Sequence, residues 1–157
     1  LPLSACVGPA RIMNAWPPSK GEAIHTSTFL GNPLACSAGV AFLEELKSGG
    51  LLDRSRDLGE LLLRRLQAAL TDLAEVNEVR GRGLLVGVEF TRPGTKLPLK
   101  GAAVQMAKRA LTEGILILAA GSSGQVLELS PPLVITEEQI EWAVTHMERV
   151  VREVLAE

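Results

Sequence analysis

Two neighbouring hydroxyls, Ser27 and Thr28, stand a few residues ahead of the pair Asn32-Pro33. Asparagine is a good N-cap, and proline fits the first helical position because its missing N–H is no loss there. Hydroxyls and free backbone N–H groups at the mouth of a helix can hold an anion, most often a phosphate. The same residues also make an ordinary loop with capping hydroxyls. Other reactive residue types are sparse. Cys6 and Cys36 show no metal-ligand spacing, and His146 has no carboxylate or cysteine at ligand spacing. The lysines are Lys20, Lys47, Lys96, Lys100 and Lys108, of which Lys20, between Pro18 and Gly21, reads as solvated. Gly81-Arg82-Gly83 has the look of a nucleotide loop, yet a strand follows it where that fingerprint needs a helix. It reads as a turn between paired strands.

The elements that must position these groups follow from periodicity. Leu3 to Val7 reads as a strand, Pro9 to Ala15 as a short helical piece, and Trp16-Pro17-Pro18 as an extended path. Asn32 to Lys47 reads as a helix, closed by Gly49-Gly50. Small residues at Ala35, Ala38, Gly39 and Ala41 let it pack closely on a neighbour. Leu51 to Leu73 is an amphipathic helix, with Leu58, Leu62, Leu66 and Leu70 spaced four apart. Two extended runs follow, Val76–Arg80 and Leu84–Phe90. A loop over 91–101 leads to a helix over Ala102–Glu113. Ile115–Ala119 and Gln125–Leu129 read as strands joined by the hairpin loop Gly121-Ser122-Ser123-Gly124. Thr136-Glu137-Glu138-Gln139 is a capping box, and it opens a last helix with Ile140, Ala143, Val144, Met147, Val151 and Val154 inward.

Composition narrows the function. The 157 residues hold 16 Lys and Arg against 18 Asp and Glu, a net charge of -2 that offers no basic field to nucleic acid or membrane. With three Phe, two Trp and no Tyr there is no stacking platform for single strands. Two cysteines in apolar surroundings read as buried thiols of a cytoplasmic protein. No apolar run is long enough to span a bilayer, and no signal peptide is visible. The chain opens on Leu1 inside an apolar stretch, which suggests a piece of a longer protein. Residues 1–31 hold little apolar material and should need a partner surface.

One stretch adds a family. His25-Thr26-Ser27-Thr28-Phe29-Leu30-Gly31-Asn32-Pro33-Leu34-Ala35-Cys36 resembles the segment after the lysine strand in class III pyridoxal-phosphate (PLP) aminotransferases, the acetylornithine, ornithine and 4-aminobutyrate group. Three more segments agree in order: Glu78 to Glu89, Gly114 to Leu118, and Leu129 to Glu138. The resemblance implies fold type I, with residues 1–31 as the tail of a large cofactor-binding domain and 32–50 as a long interdomain helix. Residues 51–157 would be the small C-terminal domain. Read from periodicity, that last part is an α/β (α+β) layer with a mostly antiparallel sheet covered by helices on one face.

The resemblance also implies roles. The cofactor would be pyridoxal 5'-phosphate, its phosphate hydrogen-bonded by Thr28 of the neighbouring subunit, with Ser27 a second candidate. The partners would be an amino donor, a 2-oxo acid acceptor, the remainder of the same enzyme and a second copy in a homodimer. The lysine that holds the cofactor would lie upstream, so no catalytic residue is expected in this chain and the chain alone should not transaminate. Many members place an arginine three residues before Pro131, where it clamps the substrate α-carboxylate; here that place is Glu128. A carboxylate cannot bind a carboxylate without a shared proton or bridging cation. Either another arginine holds the substrate, or the donor has no carboxylate there, or Glu128 simply faces solvent on an edge strand. The alternative to an enzyme is a non-catalytic α/β binding or interaction domain derived from the same family.

Overall fold

The computed structural model of the chain describes residues 1, 3–15, 20–21 and 28–157. The chain divides into two compact units, Leu1–Gly49 and Gly50–Glu157.

The first unit holds α1 (Ala10–Met13) and α2 (Pro33–Ser48). Asn32 caps α2 as its residue type requires, its Oδ1 accepting from the Ala35 N–H at 3.1 Å, and Pro33 stands within the first turn. Close packing at the small residues is visible at Gly39, where a Cβ would fall 2.4 Å from Leu3 Cδ2. Two expectations fail in this unit. Leu3 to Val7 is irregular, because a strand needs a ladder partner and no strand occurs among the unit's described residues. Cys6 and Cys36 are exposed, not buried. The physical reason is shared: only Ala35 is buried in α2, while Leu34, Val40, Phe42 and Leu43 are left open.

The second unit runs α3 (Leu51–Leu70), β1 (Val76–Arg82), β2 (Leu85–Phe90), α4 (Ala102–Thr112), β3 (Leu118–Ala120), β4 (Val126–Leu129) and α5 (Glu137–Ala156). Its four strands pair antiparallel in the order β1-β2-β4-β3, so β4 inserts between β2 and β3. The leucine stripe of α3 is the core it promised: Leu58, Leu62, Leu66 and Leu70 are buried with Val86, Val88 and Phe90 of β2 and Leu127 and Leu129 of β4. Each such side chain removed from water contributes about 1.5–3 kcal/mol. Met106 and Ala110 of α4 and Ile140, Val144, Met147, Val150 and Val151 of α5 complete the layer. One side of the sheet is therefore covered by three helices.

Local signals hold where they rest on single groups. The capping box is present in both directions, with Gln139 N–H donating to Thr136 Oγ1 at 3.2 Å and Thr136 N–H to Gln139 Oε1 at 2.9 Å. The glycine pair does join paired strands, but β1 runs on through Gly81 and Arg82, so only Gly83 and Leu84 form the turn. Gly83 takes φ +54°, which a tight hairpin asks of glycine at its first loop position. The α4 N-terminus is satisfied by the β3–β4 loop, Ala103 N–H donating to Gly124 O at 3.0 Å.

Candidate functional site

The anion-binding expectation rests on the turn that feeds α2. Thr28, Phe29, Leu30 and Gly31 form this turn, closed by Asn32 N–H donating to Phe29 O at 3.1 Å. Gly31 carries φ +68°, a left-handed conformation that glycine adopts without strain. The turn delivers the chain into the capped first turn of α2 and leaves Thr28 exposed. No hydrogen bond to the Thr28 hydroxyl exists among the described residues. A hydroxyl can donate one hydrogen bond to a phosphate oxygen, and a bond to so charged an acceptor is of the stronger kind. Ser27 lies outside the described residues, as do His25 and Thr26.

Glu128 belongs to the second unit. It is not on an edge strand: β4 is flanked by β2 and β3, and Glu128 stands opposite Gly87 on one side and Leu118 on the other. Its neighbours Leu127 and Leu129 point into the core, so Glu128 is on the sheet face away from the helices. It is half-buried, and it makes no hydrogen bond or ion pair among the described residues. Beyond it the chain enters Ser130-Pro131-Pro132, and the residues that follow, Leu133 to Ile135, are held by Arg54 of α3. The Arg54 guanidinium donates to Leu133 O at 3.1 Å and to the carbonyls of Val134 and Ile135. Nothing in the sequence marks Arg54 for this task, since its carbonyl partners are about eighty residues away.

The remaining charged groups pair on the surface. Arg80 donates to Glu78 at 2.9 Å and to Glu89 at 3.0 Å, and these hydrogen bonds, that to Glu89 foremost, hold its proton more tightly than in free arginine. Arg152 bridges both oxygens of Asp72 at 2.8 and 2.9 Å and reaches Ala69 O, tying α5 to the end of α3. That contact pulls the Asp72 carboxyl below its usual range. His146 is half-buried, its ring centroid 4.1 Å from that of Trp142 with the planes tilted by 31°, and its Nδ1 lies 2.7 Å from Trp142 O. All five lysines are exposed. No group of three or more His, Cys, Asp or Glu side chains could hold a metal among the described residues. None of the described helices is long and apolar enough to cross a membrane.

The family model for aminotransferase class-III matches residues 1–151. The chain belongs to the class III aminotransferases. It is 39% identical over 138 residues to a 4-aminobutyrate aminotransferase of Mycobacterium tuberculosis, a match that covers 88% of this chain and 30% of that protein. It is 36% identical over 149 residues to an ornithine aminotransferase of Bordetella pertussis, covering 95% of this chain and 33% of that one. Among solved structures, an aminotransferase of Bacillus anthracis superposes with a TM-score of 0.75 at 30% identity, over 86% of this chain and 32% of its own. The chain thus spans about a third of the length of the relatives it matches. The antiparallel α/β layer is the fold shared with these aminotransferases.

Proposed function

We propose that the complete protein is a PLP-dependent aminotransferase that moves an amino group from a donor to a 2-oxo acid. Within it, this chain would supply the phosphate-binding turn and the small domain. The observation that carries this reading is the class III match across residues 1–151, which includes the Thr28 turn. The turn fits the group: it offers an exposed hydroxyl, with no partner among the described residues, ahead of a capped helix N-terminus. When bound, PLP supplies an electron sink for the reacting carbon. The part of this chain is to hold and orient it. Thr28 donates to the phosphate, Ser27 is a second donor, and the phosphate belongs to the neighbouring subunit, which makes the working unit a homodimer. In the same reading residues 1–31 close the large domain, 32–50 link the two domains and 51–157 form the small one. The division of the chain at Gly49/Gly50 supports that boundary. The lysine that carries the cofactor comes from outside this chain.

The test is a half-reaction on the complete protein. With PLP bound and no acceptor present, an amino donor should be consumed to about one equivalent per subunit and then stop, resuming when a 2-oxo acid is added. A complete protein that binds no PLP, or that releases amino-group product only when both substrates are present together, would leave a binding domain in place of the enzyme.

A further inference from the structure

We draw no further inference here: the strongest candidate, the apolar cavity of about 380 Å³ lined by Leu62 of α3, Leu129 of β4 and Ile140 and Met147 of α5, carries none, because nothing in the structure shows what covers or fills it.

Discussion

Phe90→Ala is expected to remove about 4 kcal/mol of stability, the range in which large aromatic truncations in packed cores fall. Phe90 closes β2 and is fully buried, with Leu127 and the α3 stripe in the same core. Its backbone is equally engaged, accepting from Leu99 N–H at 3.0 Å and donating to Gln125 O at 2.9 Å. The backbone bonds keep β2 in place after truncation, so the site cannot collapse to fill the hole. A domain of this size has about 5–15 kcal/mol in total, so one substitution takes a large share. Urea unfolding of the chain followed by far-UV circular dichroism measures it. A loss under about 1.5 kcal/mol would mean that the core closes over the gap, contrary to the packing described here.

Gly59→Ala sets two effects against each other, and magnitude decides. In a helix interior alanine is favoured over glycine by about 1 kcal/mol. Against that, a Cβ on Gly59 would fall 2.1 Å from Gly83 O, 2.2 Å from its carbonyl carbon and 2.6 Å from its Cα. All three are backbone atoms, so no side-chain rotation relieves the clash. Gly83 cannot retreat easily, because it forms the β1–β2 turn at φ +54°, and Ser55, one turn before Gly59 on α3, presses on it as well. Overpacking of this kind costs about 3 kcal/mol, which leaves a net loss of about 2 kcal/mol. The urea midpoint of Gly59→Ala should fall accordingly. A neutral or raised midpoint would show that α3 can lift off the turn freely and that helix propensity governs the site.

Gly59 also shows where local reading stops. The stripe at Leu58, Leu62, Leu66 and Leu70 was legible because burial follows helical period, and the capping box because its groups lie three residues apart. Nothing near Gly59 in the chain foretells that a hairpin turn will press against it, for that is a tertiary contact. The insertion of β4 between β2 and β3 is of the same kind, and it puts Glu128 on a central strand, against the alternative that had it on an edge. Arg54 reaching the Leu133 carbonyl, and Arg152 reaching Asp72, join residues 79 and 80 positions apart. The first unit erred in the opposite direction. Apolar composition around Cys6 and Cys36 argued for burial, and Leu3 to Val7 for a strand, yet neither finds the surface it needs among the unit's described residues. The helix start after the Thr28 turn was legible from Asn32 and Pro33, each with a cap or position its type dictates, while the left-handed Gly31 came from the structure. The turn's chemical purpose came from resemblance alone.

That purpose is the central claim, and cofactor retention tests it most directly. In the complete protein, Thr28→Val removes the hydroxyl and keeps the shape, while Thr28→Ser keeps the hydroxyl. The bond at stake joins a hydroxyl to a charged phosphate, worth about 1.5–3 kcal/mol. Equilibrium dialysis of PLP against the three proteins should therefore show the valine variant weakened by about ten- to a hundredfold, with the serine variant close to the parent and all three unfolding at the same urea concentration. Equal PLP affinity in the valine variant and the parent would contradict the account.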